Sequence, residues 1–186
     1  MALRPVRIYG DPVLRTRAAD VTRFDESLSG LAADMRETMH AYRGVGLAAN
    51  QVGVLQRILV VDVPGEGEDE PNRAYTMVNP VIRERSGSDV SEEGCLSIPS
   101  IFEDVTRARD VEVEFLDEHG AKHVVKAGGY LARAIQHELD HLDGVLFVDR
   151  LSPLKRQFLK RQLESIARGE LPEGYHPPSE RKGGER

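Results

Sequence analysis

Apolar residues return at helical spacing between Asp25 and Tyr42, where Leu28, Leu31, Met35, Met39 and Tyr42 recur near the 3.6 period. Asp25 supplies an N-cap and Gly44 a stop, so this stretch predicts an amphipathic helix. The chain then passes through GVGLAANQVG, read as a glycine-bounded turn, into RILVVDV, whose unbroken apolar run predicts a buried strand. PGEGEDEPN is acidic and turn-rich and has nothing to bury, which predicts a loop. YTMVNPVI reads as another strand, with Pro80 marking an edge or a bulge. In VEVEFLDEHGAKHVVKA two alternating segments flank the turn residues DEHG, the pattern of a hairpin. A second helix runs from Gly128 or Gly129 to Leu142 and closes at Gly144. A third starts at the N-cap Ser152, with Pro153 in its first turn, and continues to about Arg168. Strands and a few helices without regular βαβ alternation predict an α+β fold. Its mixed or antiparallel sheets surround the second helix, with the other two helices towards the termini. One domain is expected over residues 1–168, the catalytic one on the chemistry that follows. Residues 169–186, rich in proline, glycine and charge, are expected to form a flexible polar tail.

The second helix carries more than its burial requires. With Tyr130 at zero and about 100° per residue, Ala134, His137 and His141 fall within roughly 40° of it. Leu131, Ile135, Leu139 and Leu142 form an apolar flank, Glu138 lies between the two stripes, and Arg133, Gln136 and Asp140 share the remaining side. Imidazoles at this spacing stack on one helix face and suit one cation. The H-E-x-x-H spelling places Glu138 close enough to handle a proton. Histidines that merely satisfy core hydrogen bonds can produce the same spelling, yet a solvated helix has no reason to hold both on an apolar-flanked stripe.

A pair of ligands leaves a metal site incomplete. The pattern H-E-x-x-H-x-x-G-x-x-H would supply a further histidine; Gly144 arrives on schedule, but Phe147 stands in the ligand's place. A glutamate from a later helix would be Glu164, whose basic neighbours in KRQLESIARGE read as a solvated face. Upstream, EEGCLSIPS offers Cys95 behind Gly94, where the backbone can approach a ligand closely. A thiolate with two imidazoles leaves one position open, which is the catalytic arrangement. Cys95 is the only cysteine, so it forms no intrachain disulfide, and a buried structural thiol is the plain alternative.

Composition narrows the classes. At 186 residues, 40% hydrophobic and 30% charged, the chain is an ordinary soluble globular sequence. No run reaches the length of a membrane span, and MALRPVRIYGDPVLR lacks the apolar core of a signal peptide, which makes the cytoplasm the expected location. A formal charge of -6 argues against a general nucleic-acid binder. GVGLAA shares the spelling of a dinucleotide fingerprint but follows a helix and runs into Val52 and Gly53 instead of opening a helix.

With GVGLAANQVG, EEGCLSIPS and QHELDHLDG in this order, the chain resembles the bacterial-type peptide deformylases, whose segments read G-x-G-L-A-A-x-Q, E-G-C-L-S and Q-H-E-x-D-H. The likeness extends through VNPVI, the V-x-R of Val105 to Arg107, and GVLFVDRLSP, and spans Arg4 to about Arg168. It implies a monomeric α+β enzyme that removes the formyl group from the N-terminal formyl-methionine of new polypeptides. It implies Cys95, His137 and His141 as ligands of one divalent ion, iron(II) by expectation, with zinc, nickel or cobalt accepted. Glu138 would be general base and acid for a metal-bound water, and Gln51 and the backbone N–H of Leu96 would bind the oxyanion. Gly46 joins this catalytic group, because glycine there lets the loop carrying Gln51 pass close to the substrate. Val45, Tyr130 and Ala134 would line the methionine pocket, with Gly94 also meeting the substrate, and Glu93 and Arg107 would form a supporting ion pair. There are departures from the family pattern. Arg133, apolar in many relatives, is expected on the pocket rim or in solvent, and Phe102 stands where some relatives carry an arginine. Both bear on side-chain preference, not on the reaction.

Lys155, Arg156, Lys160 and Arg161 on the third helix read as a solvated face, to which the resemblance adds ribosome contact as an expectation. The partners expected are formyl-methionyl nascent chains, with no membrane and no sequence-specific nucleic acid. Readings from other classes stay open at this point. They are a zincin-type peptidase with an acidic third ligand, a metal module closed by a fourth protein ligand, and a catalytically inactive binding protein of this fold.

Overall fold

The run RILVVDV occupies the middle of the architecture. In the computed structural model, which describes residues 2–65, 70–173 and 175, it forms β2 (Ile58–Val63) between β1 (Gly46–Ala48) and β3 (Arg73–Ser86). The antiparallel sheet continues through β6 (Asp110–Leu116) to β7 (Lys122–Gly128), in the order β1-β2-β3-β6-β7. Successive side chains of a strand face opposite sides. Leu59, Val61 and Val63 share a core with α2 (Gly129–Leu142), whereas Ile58 and Val60 share one with α1 (Glu26–Ala41). Both faces of β2 are covered, which is why its sequence is unbroken in hydrophobicity and does not alternate.

The helices form where periodicity and caps predict them. Asp25 caps α1 by accepting from the Ser27 N–H, and Leu28, Leu31, Met35 and Met39 form its buried stripe. Ser152 caps α3 (Pro153–Ala167), which Leu163 and Ile166 bury beneath the molecule's second, smaller sheet. No helix among the described residues is long and apolar enough to cross a membrane. The hairpin of β6 and β7 turns at DEHG, where the Asp117 carboxylate accepts from the His119 and Ala121 N–H groups.

Pro80 marks a bulge and not an edge. β3 is the central strand of its sheet, and its register to β6 shifts between Val78 and Val81. Asn79, at φ 50, turns its carboxamide onto the backbone of Val21. Further elements differ from expectation. GVGLAANQVG is not a simple turn: it supplies β1 and then a 3-10 turn over Ala49–Val52. EEGCLSIPS spans a separate hairpin of β4 (Asp89–Cys95) and β5 (Ile98–Arg107), invisible to periodicity because Asp89, Val90, Ser91 and Glu92 are all exposed. Of the predicted acidic loop, residues 66–69 lie outside the described residues, as do 174 and 176–186 of the predicted tail.

Candidate metal centre

Helix α2 is buried on nearly every side although half its residues are polar, so each polar group needs a partner. The predicted apolar flank of Leu131, Ile135, Leu139 and Leu142 packs into the sheet core. The histidine stripe faces β4. The ligand atoms of Cys95, His137 and His141 lie within 4.8 Å of one another, and Cys95 Sγ is 3.2 Å from His141 Nε2. Cysteine and histidine ligands sit about 2.0–2.3 Å from a zinc-sized ion, so mutual separations of this order suit one cation.

The surroundings prepare that centre. Nδ1 of His137 donates to Glu93 Oε2 at 2.9 Å, which fixes the tautomer and leaves Nε2 available to a metal. Burial alone would lower the His137 pKa, but the adjoining Cys95 and Glu93 raise it well above the usual value, so this spot favours positive charge. His141 goes the other way, since burial and the neighbouring His137 and Arg107 charges keep it neutral. One cation on a thiolate and two imidazoles meets both demands, and the residues present fit a divalent ion. The His137 ring also stacks on Phe147, with centroids 6.1 Å apart, so the position that fails as a ligand serves as packing.

Glu93 is the hub of the support. Arg107 reaches it twice, at 2.6 and 2.8 Å, and a third donor of Arg107 meets Asp140 at 2.7 Å. Burial would raise the Glu93 carboxyl, yet the hydrogen bonds from Arg107 and His137 hold it down at about 2.

Glu138 is 4% exposed, and its Oε2 has no hydrogen-bond partner from the protein. Burial raises its carboxyl to about 7 against the pull of His137 and Arg107, suiting a group that must take and release a proton. Gly46 lies against it: a Cβ there would collide with the Glu138 carboxylate. From the same segment the 3-10 turn presents Gln51, whose Oε1 accepts from the Ala48 N–H at 2.8 Å. Its Nε2 is thereby aimed at Ser97 Oγ, 3.2 Å away, and at Cys95 Sγ, 3.6 Å away. Leu96 and Ser97 form the tight turn between β4 and β5, so the Leu96 backbone follows directly on Cys95.

These groups open onto a cleft of 820 Å³. Val45, Gly94, Tyr130 and Ala134 line it, together with Leu96 and Phe102. Tyr130 is 55% exposed and Phe102 59%, so both are available to a bound molecule. Glu173 and Tyr175, from the segment assigned to the tail, also border the cleft. The cluster therefore combines a thiol and two imidazoles able to hold a metal, a buried carboxyl able to exchange a proton and an amide donor, Gln51 Nε2, beside them, an arrangement suited to water attacking a carbonyl.

Arg133 sharpens an expectation. It borders the cleft and does not stand in solvent; it is 5% exposed and bonded to Glu93. Sequence reasoning missed Arg133, Asp140 and Ser97 as parts of the site. A signal existed for the first two: Arg133, Gln136 and Asp140 recur along one side of a helix whose other sides were already assigned to burial and to the metal.

Known proteins share this sequence and this fold. The sequence pattern of the polypeptide deformylases matches residues 3–157. A peptide deformylase of Xylella fastidiosa is 50% identical over 171 residues, covering 90% of this chain and 98% of that protein. The crystal structure of peptide deformylase from Ehrlichia chaffeensis superposes with a TM-score of 0.83 at 39% identity, over 91% of this chain and 99% of that one. A Met-Ala-Ser-bound class I type b peptide deformylase from Acinetobacter baumannii superposes with a TM-score of 0.75 at 39% identity, over 80% of this chain and 98% of that one. Matched along most of its length in sequence and in fold, the chain belongs to the polypeptide deformylase family.

Proposed function

We propose that this chain removes the formyl group from N-terminal formyl-methionine of new polypeptides by metal-dependent hydrolysis, with Cys95, His137 and His141 as the ligands. The observation that carries the reading is the thiol and two imidazoles gathered beside a buried, unpartnered carboxylate oxygen of Glu138. When bound, a divalent cation supplies Lewis acidity and lowers the pKa of a water towards neutrality. Glu138 takes a proton from the attacking water, whose oxygen bonds to the formyl carbon. It returns that proton to the amine nitrogen as the carbon–nitrogen bond breaks, leaving formate and a free amino terminus. Gln51 Nε2 and the Leu96 N–H donate to the oxygen on which charge develops, each contributing about 3 kcal/mol. Gly46 keeps the backbone clear of Glu138, and Glu93 with Arg107 orients His137.

Val45, Tyr130 and Ala134 form the methionine pocket, with Gly94 along the peptide. The Met-Ala-Ser peptide bound by the Acinetobacter baumannii relative supports a methionyl peptide in this cleft. Iron(II) is the ion expected from the family likeness. A monomer in the cytoplasm completes the reading, with residues 1–168 as the catalytic domain. Lys155 pairs with Glu103 at 2.7 Å and Lys160 with Glu164 at 3.8 Å, so Arg156 and Arg161 are the charges of this group best placed to face a ribosome.

The test is anaerobic hydrolysis of formyl-Met-Ala-Ser. Glu138→Gln should keep its metal and lose about 10²–10⁴-fold in rate, and chelated protein should be inactive until a divalent ion is restored. Full activity in either sample sinks the mechanism. Cys95→Ser should release the metal; a tightly held ion would favour the peptidase with an acidic ligand.

A further inference from the structure

One buried cation beside the metal centre has no part in the reaction above. Arg133 Nη1 donates to Glu93 Oε1 and to the Val105 carbonyl, each at 2.8 Å, and to the Ser91 carbonyl at 3.3 Å. Its Nη2 donates to the Asp89 carbonyl at 3.0 Å and to Asp89 Oδ2 at 2.8 Å. The guanidinium thus leaves α2 and binds backbone carbonyls of both β4 and β5. Arg107 crosses the same interface in the opposite sense, leaving β5 to meet Glu93 on β4 and Asp140 on α2.

The ligands arrive from these same elements. Cys95 ends β4, and Glu93 precedes it by one full pleat on that strand; His137 and His141 stand on α2. A shift of β4 relative to α2 would move Sγ away from the imidazoles and turn the carboxylate that orients His137. We propose that Arg133 is a positioning residue for the metal centre, fixing the hairpin that delivers Cys95 against the helix that delivers both histidines and holding Glu93 in register with His137. The rigid planar fork suits this task, because its donors meet several acceptors in one plane. The inference rests on the ligand assignment made above.

Its test uses protein loaded with Co(II) alone, read by chelator competition and by thiolate–cobalt absorption, with the melting temperature of the metal-free protein recorded alongside. Arg133→Leu should hold Co(II) about 10–100-fold more weakly and shift the thiolate–cobalt bands. Arg133→Lys, which keeps the charge but not the fork, should recover part of the affinity. If Arg133→Leu lowers only the melting temperature and leaves affinity and bands unchanged, the role is purely structural and the proposal is overturned. Where Arg133→Leu does not fold, Arg133→Lys decides on the same readouts, and wild-type affinity with wild-type bands overturns it. Wild-type protein that gives no thiolate–cobalt absorption would sink the ligand assignment together with this proposal, whereas an unchanged variant sinks the proposal alone.

Discussion

The five-stranded sheet and the β4–β5 hairpin are held by different physics. In the sheet, Leu59, Val61 and Val113 interlock with Ile135 of α2 without polar help, and burial on both faces of β2 supplies the cohesion. The hairpin joins α2 through Glu93, Arg107, Arg133 and His137, all buried, with the last three each hydrogen-bonded to Glu93. A hydrophobic contact tolerates small displacements; a buried ionic hub does not, because every unpaired charge in it costs several kcal/mol. The scaffold is therefore apolar, and the element that must place a metal ligand accurately is ionic.

That contrast can be broken most sharply at its hub. Glu93→Ala leaves two buried guanidinium groups without their shared anion, and about 3–5 kcal/mol of stability should be lost, together with metal retention, in urea unfolding and chelator titration. In the sheet, Leu59→Ala should cost about 2–5 kcal/mol in the same unfolding experiment while leaving metal affinity unchanged. Equal loosening of the metal by both variants would erase the distinction.

Acid provides a gentler probe of the sheet. The Asp117 carboxyl, held by His123 and by the His119 N–H, sits at about 2, below its ordinary 3.8. Since the folded value is the lower one, its contribution is complete above the ordinary value and lost as pH falls through about 2. Amide exchange at His119 and Ala121 should quicken across that window while β2 stays protected; simultaneous exposure of β2 would show that the turn is not a local feature. The smallest effect is expected at Val124, 56% exposed on β7. Val124→Thr should change stability by no more than about 0.5 kcal/mol, and a larger loss would reveal a partner for this outer face.

Legibility followed the same division. α1 and the β6–β7 hairpin were readable because each buries one apolar face, and burial writes a period into the sequence. β2, covered on both faces, was readable as an unbroken apolar run, and α3 from its cap Ser152 and first-turn Pro153. The β4–β5 hairpin was not, since DVSEEGC has almost no apolar content and its cohesion comes from charges. GVGLAANQVG read as a turn because small residues obscure a short strand. Glu93 and Arg107 came from family likeness, and their ion pair is present at 2.6 Å. The burial of Arg133 was not legible because helical phasing names the side on which a residue lies but not what covers that side.

The sequence alone determined the chemistry available: two imidazoles and a carboxyl on one helix, one thiol behind a glycine, and a family signature in three ordered segments. Only the tertiary structure brought Cys95 to His141 across 46 residues of chain. It alone showed that Arg133 is buried and that Glu93 serves two arginines and a histidine. The reason is physical. Periodicity records how one element meets an apolar environment, whereas ion pairs and metal ligands depend on distances between elements, and no local pattern encodes those.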